Sequence, residues 1–198
     1  MDPQQALARL REGNDRFISG TGRSTPITAE QVAAVADGQQ PFATILGCAD
    51  SRVPVEIVFD QGLGDLFVIR VAGAVVLASQ VGSAEYAASH LGSSLLVVLG
   101  HTSCGAVQSA LDVLNGGVTP PTEGLRAIVD QLRPAIEPVV QSGVDDRLRA
   151  AVEAGVRSSV EALRDGSRAL RDLEDQGSLQ IVGAVYDLAT GEVRTLQD

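Results

Sequence analysis

The chain is 198 residues long, 44% hydrophobic and only 3% aromatic, an amount of apolar material that fits one α/β domain of ordinary size and argues against a second. Fifteen basic residues, all of them arginine, face 25 acidic ones for a net charge of -10, which excludes a nucleic-acid partner, because that affinity needs clustered positive charge. No apolar run approaches the roughly 20 residues that cross a bilayer, and the N-terminus lacks the basic start and apolar stretch of a secretory leader, so a cytoplasmic protein with no membrane partner is expected.

In chain order, Asp2 caps a helix that Pro3 opens, and Ala6, Leu7, Leu10 and Phe17 form an apolar stripe along it to Ser19. The stripe is compatible with packing on the chain's own sheet or on a partner chain. Gly20 to Pro26 is a polar link, and Thr28 with Gln31 resembles a capping box for a short helix ending near Asp37. Residues 43–47 (ATILG) read as a first strand, Pro54 opens a short helix to about Phe59, and Gly62 and Gly64 turn the chain into a second strand over 66–71 (LFVIRV).

A helix over 79–91 carries Gly82, Ala84, Ala87 and Ala88, small enough for close approach to a sheet. Residues 95–99 make a third strand, and Gly105 opens a helix through Leu114. Arg126 to about Glu174 reads as a run of helices broken at Pro134, Pro138, Gly143 and Gly166. Residues 179–186 (LQIVGAVY), a turn at 189–191 and residues 193–196 read as a terminal hairpin. Strands alternating with helices predict an α/β fold: a mostly parallel central sheet with helices on both faces and an antiparallel strand at the C-terminal end.

The chain's two cysteines both sit in polar motifs that follow apolar strands: Cys48-Ala49-Asp50-Ser51-Arg52 and His101-Thr102-Ser103-Cys104-Gly105. A buried cysteine alone is usually a small hydrophobe, and a lone histidine on an apolar segment is usually a core residue. Together the motifs carry two thiolates and an imidazole at the carboxyl ends of strands, where α/β proteins place their sites. Three such ligands suit zinc, and a set of three rather than four leaves a position for water or a carboxylate, as a catalytic zinc requires. Asp50 and Arg52 are spaced to pair beside the metal; without the flanking ligands they would read as a surface ion pair.

These two motifs resemble the signature motifs of β-class carbonic anhydrases. Gly38-Gln39-Gln40-Pro41, Gly64-Asp65-Leu66-Phe67-Val68 with Arg70, Ser83-Ala84-Glu85-Tyr86-Ala87 and Ile181-Val182-Gly183-Ala184-Val185-Tyr186 are similar to family segments in family order. The resemblance covers nearly the whole chain and is weakest between about Gly117 and Gly177. It implies one zinc ion per chain on Cys48, His101 and Cys104, and hydration of carbon dioxide to bicarbonate and a proton by attack of zinc-bound hydroxide. Asp50 and Arg52 would be the catalytic pair, with Asp50 accepting a hydrogen bond from the hydroxide or, in a closed form, ligating the zinc, and Arg52 choosing between the two.

The resemblance further implies that Gln39 hydrogen-bonds substrate, that Phe67 and Tyr86 wall the carbon dioxide pocket, and that Gly105 brings backbone close to it. A pocket of this kind is shared across a dimer, so a homodimer or dimer-based oligomer is expected, with the N-terminal helix packing on the partner subunit. On this reading 1–198 is a single domain, a helical arm over 1–37 followed by an α/β core over 38–198. Two positions depart from the family pattern. Val71 and Ala74 stand where many members have asparagine, which alters a hydrogen-bonding shell. Ile45 stands where members with an accessory bicarbonate pocket carry tryptophan, and that pocket is expected to be absent. His90, at the end of its helix, reads as a residue favoured by the helix dipole rather than a proton shuttle. Hydrolysis of carbon disulfide or carbonyl sulfide, and a non-catalytic zinc-binding role, are the alternatives on the same fold.

Overall fold

Five strands, β1 (Ala43–Gly47), β2 (Leu66–Arg70), β3 (Leu95–His101), β4 (Gln180–Tyr186) and β5 (Val193–Thr195), form one sheet in the order β2-β1-β3-β4-β5. They come from a computed structural model that describes residues 1–22, 27–117 and 119–197. β1 pairs in parallel with β2 and β3, and β3 with β4, while β5 runs antiparallel to β4. Every residue of β1 and β3 is buried. That is why they read as unbroken apolar runs rather than alternating ones: a parallel strand covered on both faces has no solvent side.

The helices are α1 (Pro3–Ser19), α2 (Ala29–Ala34), α3 (Val55–Val58), α4 (Ala78–His90), α5 (Gly105–Leu114), α6 (Glu123–Ser142), α7 (Arg147–Gly166) and α8 (Arg168–Asp175). α1 and α3 cover one face, where Ala6, Leu7 and Leu10 meet Ile45, Val55, Val97 and Leu99. The other helices from α4 onward cover the opposite face, around Leu46, Leu96, Val98, Ile136, Val156 and Leu163. The period-two alternation of β1 puts Leu46 on that second face, and Cys48, two residues on, joins the same cluster.

α1 forms where expected. Asp2 accepts from the Gln5 N–H, the Gln5 side chain accepts from the Asp2 N–H, and Gly20 closes the helix in the left-handed region at φ 69°. Its apolar stripe packs on the chain's own sheet, one of the two placements the stripe allows. Asn14, only 4% exposed, fixes this docking by donating to the Val58 and Gly191 carbonyls at 3.1 and 2.8 Å and accepting from the Val193 N–H at 2.9 Å. Arg9 pairs with Asp65 at 2.7 Å, and Arg16 pairs with Asp60. Gly13 is required there, since a Cβ would lie 1.8 Å from the Phe59 carbonyl oxygen.

α2 has the expected Thr28/Gln31 capping box but stops at Ala34 and buries no residue. Residues 23–26 of the polar link lie outside the described residues. Two further differences have physical causes. α6 runs straight through Pro134 and Pro138, where breaks were expected. Both prolines are exposed, so the carbonyls left without an N–H partner face water, while Val129, Leu132 and Ile136 anchor the opposite side. β3 extends two residues beyond its expected end because β4 is long enough to pair with it as far as His101↔Tyr186.

Candidate metal centre

Cys48 follows the last residue of β1, and His101 is the last residue of β3. The parallel register therefore carries both to the same end of the sheet. After His101, Thr102 stays tied to β4 through its N–H on the Tyr186 carbonyl, at 2.9 Å, and its hydroxyl accepts from the Leu188 N–H at 3.0 Å. Ser103 then adopts φ 55°, and this left-handed step folds Cys104 back as the N-cap of α5. The ligand atoms of Cys48, His101 and Cys104 all lie within 4.8 Å of one another. All three side chains are buried, His101 completely.

The decisive atom is His101 Nε2. The ring's Nδ1 lies 2.9 Å from the Thr102 carbonyl oxygen, to which it donates, and this fixes the tautomer so that Nε2 carries the lone pair. Nε2 is buried and has no hydrogen-bond partner among the described residues. Asp50 Oδ2, at 3.7 Å, is too far to supply one. Leaving a buried acceptor unsatisfied costs on the order of 1–3 kcal/mol, and a metal ion removes that cost. A gap of about 10 Å³ enclosed by Cys48, His101, Cys104, Val107, Val152 and Val156 lies at the same place. The donor set of two sulfurs and one imidazole nitrogen is the one zinc prefers, so these residues fit that ion.

Charge agrees with geometry. A hydrogen bond from the Cys104 thiol pushes the Cys48 thiol down to about 4 in spite of burial, with smaller help from His101 and from the backbone at Asp50 and Gly73. The resulting thiolate, together with burial, pushes Cys104 up. Burial alone would lower His101, but the Cys48 sulfur, the Thr102 carbonyl and Asp50 outweigh it and raise it. The cluster thus concentrates negative charge that, without a metal ion, retained protons must balance.

Asp50 sits beside the cluster in the grip of Arg52. Arg52 Nε and Nη2 donate to its two oxygens at 2.9 and 2.7 Å, and the Arg52 backbone N–H donates to Oδ1 at 2.9 Å. These bonds hold the Asp50 carboxyl well below the usual carboxylate range. Arg70 at the end of β2 staples the loop from behind, donating to the Cys48 carbonyl at 3.0 Å and to the Asp50 carbonyl at 2.6 Å. The Gly73 N–H completes the surroundings, donating to Cys48 Sγ at 3.4 Å. Neither of these last two roles was read from the sequence. The one available signal was a glycine three residues after a strand.

Of the expected site residues, the structure brings together Cys48, Asp50, Arg52, His101, Cys104 and Gly105, the last as the first residue of α5. Gly105 also borders a mainly apolar cavity of about 340 Å³ with Ala72, Val113, Leu125, Ile128 and Val129. Gln39, Phe67 and Tyr86 do not join them within this chain. Phe67 is in register with Thr44, four residues before Cys48, which sets it back by about 13 Å along the sheet. Tyr86 is 47% exposed and touches Phe67 instead, at 6.2 Å between ring centroids. Gln39 is exposed and precedes β1, so it stands at the opposite end of that strand from Cys48. His90 does end α4, but its ring stacks on Tyr86 at 5.3 Å and 18°.

Comparisons with known proteins point to one family. A family model described as carbonic anhydrase matches residues 43–193. Carbonic anhydrase 2 of Mycobacterium tuberculosis is 42% identical over 190 residues, covering 96% of this chain and 91% of its own length. The carbonic anhydrase of Mycolicibacterium smegmatis is 40% identical, covering 97% and 92%. Among solved structures, a β-carbonic anhydrase of Aspergillus fumigatus superposes with a TM-score of 0.74 at 27% identity, covering 98% of this chain and 90% of that one. At 21% identity, one from Sordaria macrospora shares the fold with a TM-score of 0.76 over 94% of each chain, and its description calls it tetrameric.

Proposed function

Because this chain belongs to the β-class carbonic anhydrase family, we propose that it catalyses the reversible hydration of carbon dioxide to bicarbonate and a proton, with one zinc ion held by Cys48, His101 and Cys104. The observation that carries this reading is the buried, partnerless Nε2 of His101 between two thiols. When bound, zinc lowers the pKa of water from about 15.7 toward roughly 7, so that hydroxide is available near neutral pH. Two thiolates donate more charge than imidazoles and blunt that effect, which favours activity on the alkaline side.

The chain's own residues do the rest. Asp50, kept ionised by Arg52, can only accept a hydrogen bond. Beside a zinc-bound hydroxide it would accept a hydrogen bond from the O–H, which would leave an oxygen lone pair directed toward the carbon. Arg52 would keep Asp50 in that role and away from the metal, favouring the open form of the site. Arg70 fixes the loop by its hold on the Cys48 and Asp50 carbonyls. The apolar substrate is held by a dry wall, and bicarbonate by donors such as the Gln39 amide.

Since Gln39, Phe67 and Tyr86 lie away from their own chain's cluster, they serve the site of a second copy, in a homodimer or a dimer-based oligomer. The outward-facing Tyr86 supports this. The packing of α1 on the common sheet supports one domain over residues 1–198. The two free thiols, Cys48 and Cys104, suit a reducing compartment such as the cytoplasm. Zinc content and stopped-flow hydration test the proposal: about one zinc per chain with hydration at mildly alkaline pH is expected. Fully metallated protein without hydration would overturn it.

A further inference from the structure

Ser159 lies on the inner side of α7, 6% exposed, and its hydroxyl donates at 3.0 Å to the carbonyl of Ala74, 85 residues earlier in the chain. Ala74 follows Gly73 in a short 3-10 turn, and both residues are left-handed, with φ of 73° for Gly73 and 50° for Ala74. Glycine adopts this conformation freely, but for alanine it costs roughly 1–2 kcal/mol. The turn nevertheless aims one group with care, since the Gly73 N–H meets Cys48 Sγ at 3.4 Å. It has little room to relax inward: a Cβ on Gly73 would stand 3.2 Å from both Ala106 Cβ and Leu132 Cδ1.

α7 approaches the sheet closely at the same level. Val156 sits against Gly100 and Gly183 on adjacent strands, where a Cβ would come within 2.5 and 2.8 Å of its methyl groups. Val152 and Val156 form the back wall of the thiol cluster, and Ser159 is the hydroxyl the same helix offers to the turn. We propose that Ser159 is a positioning residue of the metal centre: its hydrogen bond holds the strained Gly73–Ala74 turn so that the Gly73 N–H stays on the Cys48 sulfur. The inference rests on Cys48 being a zinc ligand. An N–H on a ligating sulfur draws charge from it, and loss of such an outer contact typically weakens metal affinity about 10–100-fold.

The test is made on the zinc-loaded and cobalt-substituted protein. Ser159→Ala is expected to bind zinc about tenfold more weakly in chelator competition and to shift the sulfur-to-cobalt charge-transfer band. Val160→Ala, a destabilising change on the same helix, should leave both as they are in the parent. Ala74→Gly removes the strain, so Ala74→Gly with Ser159→Ala should bind zinc as well as Ala74→Gly alone; that pair remains informative if Ser159→Ala fails to fold by itself. Parental zinc affinity and an unshifted band in Ser159→Ala, or a zinc loss that persists in the Ala74→Gly background, would overturn the proposal. Failure of the underlying reading looks different: the parent protein itself would show no sulfur-to-cobalt band.

Discussion

Arg52 spans both oxygens of Asp50, two residues before it, with side-chain bonds of 2.9 and 2.7 Å. A bidentate clamp over so short a stretch of chain fixes the carboxylate plane as well as its charge. It also leaves the oxygen that faces His101 at 3.7 Å, close to the metal cluster but outside it.

The first prediction follows from that clamp. Asp50→Asn keeps the shape but can no longer act purely as an acceptor, so it should retain zinc and lose on the order of 10²-fold or more in turnover. Cys48→Ser and His101→Ala should instead lose metal and activity together, because two good ligands hold zinc poorly. Zinc per chain, measured beside stopped-flow rates, separates the two outcomes. An Asp50→Asn protein without zinc would mean that Asp50 is itself a ligand at rest.

A mixing experiment addresses the shared pocket. His101→Ala has an intact wall and no metal site, whereas Tyr86→Ala has an intact metal site and a damaged wall. Co-refolded heterodimers should recover one complete site each, or about a quarter of the parental activity in the mixture. If the mixture is no more active than the sum of the separate proteins, Tyr86 serves its own chain.

Removing Asn14 tests the docking of α1. Asn14→Ala leaves the Val58 and Gly191 carbonyls and the Val193 N–H without their partner in a largely buried setting. Chemical denaturation should register a loss of about 2–4 kcal/mol. A change below about 0.5 kcal/mol would show that the helix is held by its apolar stripe alone.

Acid stability should depend on Asp187. The N–H groups of Thr190 and Ala189 hold its carboxyl below the usual carboxylate range. A folded-state pKa lower than the unfolded value, near 3.9, gives stability that is present above about pH 4 and lost as pH falls through the lower folded value. Unfolding free energy measured from pH 6 downward should therefore fall less steeply below about pH 4 in Asp187→Asn than in the parent. Parallel curves would rule the linkage out.

The metal cluster was legible because coordination chemistry restricts residue type so severely: two cysteines and a histidine at strand ends leave few other uses for them. The parallel sheet was legible from the lengths of apolar run between helical segments. The partner of α1 was not, since an amphipathic stripe specifies that it is buried and not which surface buries it, and Asn14 reads as polar until its three partners are known. Pro134 and Pro138 misled for a related reason. Their cost depends on which way the freed carbonyls point. The left-handed backbone at Ala74 and the hydroxyl of Ser159 that meets it are 85 residues apart, a pairing no local pattern encodes.

The ion pairs that fasten α1 to the rest of the molecule, Arg9 with Asp65 and Arg16 with Asp60, are built on guanidinium, in a chain that has no lysine. A lysine ammonium begins to lose its proton near pH 10, whereas guanidinium keeps its charge beyond about pH 12. In strongly basic solution the fastening of the first helix should thus outlast the thiol and phenol chemistry elsewhere in the protein, and base-induced unfolding should start somewhere other than at its amino end.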